Sequence, residues 1–360
     1  MKESGKGMQI PWSIPNINED DVEYVKSVLD TGWFSMGKEV KKFEENMASY
    51  VNRKYGIAVN NGTSALELAL RSLNIGFDDE VIVPALSFMA TASAVSMIGA
   101  KPVFVDVDRY LTIDTSKIEE KITEKTKAIV SVDLCGGPCD YGRLTETCDK
   151  YSLNLIVDGA QSLGSRYNKK TCHQYGILST ISFHAAKVIT TVEGGMIFTD
   201  DHELNSKLRA MRSHGEASVK YRHEYLGGNY RMTDIAAAFG NGQMKRIDKL
   251  LENRQRQVDF YKERLEGVKS LTIRKGCISG NFMFLVFVDD NVKLGDRLRE
   301  CGIDTRIIYP LPIPHQPAYN KDGSYPMAEW SSKHSLSLPL YDKLTDEQIE
   351  YICSKLGVNR

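Results

Sequence analysis

Apolar residues fall in short runs through the first two-thirds of the chain, at 80–83, 102–105, 128–132, 153–157, 177–183 and 196–199, separated by helix-period patterns. Strand-like runs alternating with amphipathic helices predict a mostly parallel sheet covered by helices, an α/β architecture. The pattern then changes. A stretch from about 233 to 265, rich in Ala, Gln, Lys, Arg and Glu, predicts one long helix leading away from the sheet. Beyond it, apolar runs near 282–288 and 304–308 and a helical pattern over 345–356 predict a smaller C-terminal α+β domain. The division expected is a large domain over 1–240, including helices before about residue 56, and the connecting helix with the small domain over 241–360. Residues 1–7 read as a frayed end.

Composition narrows the classes. The 360 residues carry 46 Lys plus Arg against 47 Asp plus Glu, a net charge of −1. This argues against nucleic-acid or membrane binding as the main role. Seven cysteines without a Cys-x-x-Cys pair, together with no signal peptide and no long apolar span, predict free thiols, no metal site and a cytoplasmic home.

Four segments carry candidate chemistry. Lys187 follows the apolar run ending at Ser182-Phe183-His184-Ala185-Ala186 and precedes the turn Glu193-Gly194-Gly195; an amine there can form an imine with a carbonyl compound. Asp158 ends the run Leu155-Ile156-Val157 and is expected at the C-terminal end of a buried parallel strand, where open α/β sheets place ligands. A carboxylate there keeps a pyridine nitrogen protonated, and Gln161 three residues on can hydrogen-bond a ring oxygen. Gly62-Thr63-Ser64, between a short strand and an amphipathic helix, offers amides and hydroxyls to an anion. Phe88 follows the strand at 81–83 and can stack on a ring. Each feature also has a plain structural reading: Thr63 or Ser64 as a helix cap, Asp158 as an N-cap, Phe88 as core and Lys187 as a solvated lysine.

Taken in order, Asn61-Gly62-Thr63-Ser64-Ala65-Leu66, Val157-Asp158-Gly159-Ala160-Gln161-Ser162, Ser182-Phe183-His184 through Lys187 to Gly195, and Gly228-Asn229-Tyr230-Arg231-Met232-Thr233-Asp234 resemble the DegT/DnrJ/EryC1/StrS family of sugar aminotransferases. Tyr309-Pro310, His315-Gln316-Pro317-Ala318-Tyr319 and Leu336-Ser337-Leu338-Pro339-Leu340 resemble its C-terminal signature. The resemblance implies the fold-type I architecture of pyridoxal phosphate enzymes and pyridoxal 5'-phosphate as cofactor. It implies that Lys187 is the cofactor's attachment point and proton carrier, that Asp158 pairs with the pyridinium, that Gln161 meets the ring oxygen and that Phe88 stacks. It further implies that Thr63, Ser64 and Ser182 hold the phosphate, that Asn229 reaches it from a partner subunit in a homodimer with shared sites, and that Arg231 anchors a carboxylate or acid. The substrates implied are glutamate as amino donor and a nucleotide-linked keto sugar. His184, Tyr309 and His315 are candidates for the sugar pocket; His184 equally reads as packing beneath the cofactor loop.

The run Ser182-Phe183-His184-Ala185-Ala186-Lys187 is more similar to members acting at sugar C4 than at C3. Retention of lysine at 187 favours amino transfer over the dehydratase or regulatory alternatives. Three departures stand out. Val192 occupies a position where the family usually has glycine, and strain is expected if that position needs positive φ. Cys135 replaces a commoner tyrosine, and Gly240-Asn241-Gly242-Gln243-Met244 is glycine-rich for a helix. Neither of the last two is expected to touch the chemistry.

Overall fold

The computed structural model describes residues 8–356, so the expected frayed end at 1–7 lies outside the described residues. Two helices come first, α1 (Glu19–Leu29) and α2 (Lys38–Tyr50). The chain then alternates β1 (Tyr55–Val59), α3 (Gly62–Ser72), β2 (Glu80–Pro84), α4 (Ala90–Met97), β3 (Lys101–Val105), β4 (Thr126–Val132), α5 (Tyr141–Tyr151) and β5 (Asn154–Asp158). A two-residue hairpin pair, β6 (Arg166–Tyr167) and β7 (Lys170–Thr171), precedes β8 (Leu178–Ser182), β9 (Gly195–Thr199) and α6 (His202–Arg212). All six predicted runs are strands, each within two residues of its expected ends.

The central sheet has the order β1-β9-β8-β5-β4-β2-β3, and only β9 runs against the others. Both faces are covered. Alternation along β2 sends Val81 and Val83 into one buried layer and Ile82 into the other, as it must when helices pack on both sides. The exposed edge at β1 is closed by side chains: Ala58 N–H donates to Glu44 Oε1 (2.9 Å), while Arg212 and Arg209 donate to the Ala58 and Gly56 carbonyls (2.9 and 3.0 Å). Those contacts take the groups another strand would need.

The single long helix expected over 233–265 is two, α7 (Asp234–Met244) and α8 (Ile247–Arg264). The break has a side-chain cause. Arg246 donates to both carboxylate oxygens of Asp21 (2.8 and 2.5 Å) and to the Asn16 carbonyl, which ties the chain to α1 where a continuous helix would carry it past. Residue 240, the expected end of the large domain, therefore lies inside α7. The glycines of α7 are explained by close approach: a Cβ on Gly240 would come within 2.5 Å of Phe43 Cε2 in α2, and one on Gly242 within 2.5 Å of Asp21 Oδ1 in α1. Gly240→Ala is expected to destabilise the protein by about 1–2 kcal/mol, because the overpacked Phe43 ring outweighs alanine's better helix propensity. A thermal melt checks this, and a raised Tm contradicts it.

The rest comprises β10 (Cys277–Ile278), β11 (Phe284–Phe287), α9 (Asn291–Glu300), α10 (Pro326–His334), β12 (Ser335–Leu338) and α11 (Asp346–Lys355). β11 and β12 pair antiparallel. The strand expected at 304–308 is absent. Among the described residues its only ladder contact is an isolated bridge between Arg306 and Ser337, too little pairing to form a strand.

Candidate active site

Five parallel strands end at one rim of the sheet, and the predicted residues sit in the turns that follow. β1 delivers Gly62, Thr63 and Ser64, β2 delivers Phe88, β5 ends at Asp158 ahead of Gln161, and β8 ends at Ser182 ahead of Lys187. The fifth, β4, delivers a residue not anticipated at the site, Cys135.

Lys187 is partly buried, and its Nζ lies over the Phe282 ring, 4.3 Å from the centroid. Burial pulls its ammonium down to about 8, against the opposing pull of Asp158 and Cys135. Gln161, Ser182 and Phe282 line the same cavity. The turn presenting it is closely hydrogen-bonded: Lys187 N–H donates to the His184 carbonyl (2.9 Å), and His184 N–H donates to Ser182 Oγ (3.3 Å). Ala186 N–H donates to His184 Nδ1 (3.2 Å), so the neutral imidazole carries its proton on Nε2, which faces Glu193 at 3.8 Å. Phe183 beneath this turn packs against Phe43 with the rings tilted, centroids 4.9 Å apart.

Asp158 is buried and accepts from Thr91 Oγ1 (2.8 Å) and Ala160 N–H (3.2 Å). Burial raises its carboxyl above the usual range, opposed by those two donors and by the Lys187 charge. Gln161 is fixed by Cys135, whose backbone N–H donates to Gln161 Oε1 (2.7 Å); Gln161 Nε2 points to the Tyr309 hydroxyl (3.3 Å). Contrary to expectation, the Cys135 position does touch the site. Phe88 is 59% exposed at the rim, 6.1 Å from the Tyr309 ring.

The anion cradle has a cap other than those considered. Asn61 caps α3 by accepting from Ser64 N–H (2.8 Å), which leaves the hydroxyls of Thr63 and Ser64 free of the capping role. A Cβ on Gly62 would lie 2.9 Å from Ser182 Cβ, so glycine lets the start of α3 close on the end of β8. Two amides at a helix N-terminus and three hydroxyls in one place fit a phosphate. The buried carboxylate, the directed amide and the lowered amine fit the rest of a pyridoxal ring.

The outer candidates are more dispersed. Asn229 is exposed, bridges to Ser213, and is followed by Tyr230, whose carbonyl accepts from Asn60 N–H (2.9 Å), and Arg231, which bridges to Val59. This segment runs beside the strand that leads into the cradle. His315 Nε2 contacts the Gly323 carbonyl (3.1 Å) and lies 4.0 Å from Glu329 in α10, a clasp that ties its loop to that helix.

Gln243 in α7 was not anticipated. Its amide donates to the Thr190 carbonyl (2.7 Å) and accepts from Thr190 N–H (3.0 Å), pinning the loop after Lys187. The glycine-rich helix therefore supports the site. Val192 has φ +69 and is 51% exposed, the left-handed conformation feared from its sequence. Val192→Gly is expected to stabilise the protein by up to about 1 kcal/mol in thermal melts, since relief of left-handed strain exceeds glycine's entropic cost. A loss of that size would show that the isopropyl group packs productively.

A profile of the DegT/DnrJ/EryC1/StrS aminotransferase family matches residues 15–357. The chain is 35% identical over 356 residues to GDP-perosamine synthase of Escherichia coli O157:H7, covering 97% of this chain and 98% of that protein. It is also 35% identical over 339 residues to UDP-N-acetyl-3-dehydro-alpha-D-glucosamine 3-aminotransferase of Acidithiobacillus ferrooxidans, covering 92% and 91%. Among solved structures, the PLP form of the putative sugar aminotransferase Spr1654 from Streptococcus pneumoniae superposes with a TM-score of 0.93 at 31% identity, over 97% of this chain and 98% of that one.

Proposed function

The chain belongs to the DegT/DnrJ/EryC1/StrS family of aminotransferases, which work with pyridoxal phosphate, and from that premise we propose that it moves an amino group from glutamate to C4 of a nucleotide-linked keto-6-deoxyhexose. The observation that carries the amino-transfer reading is Lys187: an amine lowered to about 8, enclosed with Gln161 and Ser182 and within reach of the Asp158 charge.

Pyridoxal phosphate, when bound, supplies the carbonyl that carries the amino group between two half-reactions and a ring that accepts electron density. Lys187 Nζ would be the attachment point and would take and return the proton. The Asp158 carboxylate would keep a proton on the ring nitrogen. Gln161 Nε2 would be the donor for the ring oxygen, because Cys135 already occupies its Oε1. The start of α3 at Gly62, with Thr63, Ser64 and Ser182, would hold the phosphate, and Phe88 would cover the ring.

The C4 assignment is supported by the His184-containing run and by likeness to a perosamine synthase; equal identity to a 3-aminotransferase favours C3 as the second reading. Arg231, Tyr309, His184 and His315 are the residues proposed to meet the sugar or donor carboxylate. Saturating the protein with cofactor and glutamate, then offering nucleotide-linked 4-keto and 3-keto sugars, decides between them. Product aminated at C4 supports the proposal, and turnover of the 3-keto sugar alone replaces it with the C3 reading.

A homodimer with shared sites is proposed from the resemblance and from exposed apolar side chains, among them Trp33 at 62% and Leu226 at 92%. Asn229 would then reach the partner's phosphate. Mixed dimers of Asn229→Ala and Lys187→Ala chains should regain part of the activity each lacks alone. No rescue in proven heterodimers contradicts sharing. All seven cysteines are free, in keeping with a cytoplasmic location, and no helix among the described residues is long and apolar enough to cross a membrane.

A further inference from the structure

Beside Asp158, two hydroxyls form a chain that the reaction as described leaves unused. Thr91, in the first turn of α4, donates to Asp158 Oδ2 at 2.8 Å, and Ser87 Oγ lies 2.8 Å from Thr91 Oγ1. Both residues are buried, at 1% and 4% exposure.

We infer that Ser87 and Thr91 are positioning residues that keep Asp158 ionised through a one-way chain of hydrogen bonds. An ionised carboxylate only accepts, so the single hydroxyl proton of Thr91 must point to Asp158. Thr91 Oγ1 is then free to accept the proton of Ser87, and every donor in the chain has an acceptor.

A proton on Asp158 Oδ2 would reverse the chain. Oδ2 would then donate to Thr91 and Thr91 to Ser87, leaving the proton of Ser87 in a buried place where its side-chain partner among the described residues is already donating to it. The arrangement is therefore complete with Oδ2 unprotonated and deficient with a proton there, so it disfavours protonation at that oxygen. Burial pushes the other way, towards the neutral acid, so a device of this kind is needed wherever a buried carboxylate must stay charged. The titratable groups around it are Lys187, Tyr309 and, through Lys187, Cys135. Of these only Lys187 brings a positive charge. The inference rests on the reading that Asp158 meets the ring nitrogen only for its effect on cofactor binding; its effect on Asp158 itself is independent of that reading.

The test uses Thr91→Val, Thr91→Ser, Ser87→Ala and Asp158→Asn in the full chain. In cofactor-free protein carrying carboxyl-labelled aspartate, the NMR titration of Asp158 is identified by its loss in Asp158→Asn. Its midpoint should move upward in Thr91→Val and, less far, in Ser87→Ala, and stay at the parent value in Thr91→Ser. The dissociation constant for pyridoxal phosphate should rise about tenfold in Thr91→Val, with recovery in Thr91→Ser. Should Thr91→Val fail to fold, Ser87→Ala carries the test, since it removes only the outer hydroxyl. Unchanged midpoints in both Thr91→Val and Ser87→Ala overturn the inference. Unchanged cofactor affinity in Asp158→Asn overturns the ring-nitrogen reading instead, and the midpoints then still decide whether the hydroxyls hold the charge.

Discussion

Replacing Lys187 with alanine is expected to lower turnover at least ~10⁴-fold, with the fold intact, because attachment and proton transfer are lost together. Both roles belong to one nitrogen, so partial rescue by a neighbour is not expected; among the residues lining its cavity, Ala160, Gln161, Leu163, Ser182, Val188 and Phe282 include no other amine. The lowered amine adds a pH signature. An ordinary lysine becomes a neutral nucleophile only above about 10, whereas Lys187 does so as pH rises through about 8. Capture of pyridoxal phosphate by cofactor-free protein should therefore accelerate with pH and level off above about 8. Stopped-flow absorbance measures this, and a rate still climbing at pH 10 would mean that the amine is not desolvated as the structure has it.

Asp158→Asn is expected to lower turnover about 10²- to 10³-fold, the scale of removing one preorganised electrostatic partner. An asparagine preserves the shape and can accept from Thr91, but it has no charge to hold the ring proton. The loss should appear in kcat at saturating cofactor as well as in cofactor affinity. A variant with parental kcat would show that the carboxylate stabilises the strand end without taking part in the chemistry.

The site was legible where its residues follow one another in the chain. Parallel strands buried on both faces read as apolar runs, and the residue after each run must emerge at the same rim, so Asp158, Lys187 and the Gly62-Thr63-Ser64 turn stood out as candidates from spacing and residue type, while Ser182 entered, and Lys187 gained its weight, only through the family resemblance. Partners that meet only through packing were not legible. Thr91 lies 67 positions from Asp158 and Gln243 lies 53 from Thr190, and an ordinary threonine or a helical glutamine carries no local mark of such a role. Cys135 was judged by its side chain, but its backbone amide makes the contact. The helix break at 245–246 escaped the periodicity because its cause, Asp21, belongs to a helix more than two hundred residues earlier. Val192 was the opposite case: the missing glycine pointed to positive φ, and the backbone has it.

The central claim is that one amine, at residue 187, carries the cofactor. Borohydride reduction of the cofactor-loaded protein, followed by peptide mass spectrometry, tests it most directly. A single reduced pyridoxyl adduct is expected on the peptide containing Lys187, absent from Lys187→Ala. A stoichiometric adduct on any other lysine, or none after saturation, contradicts it.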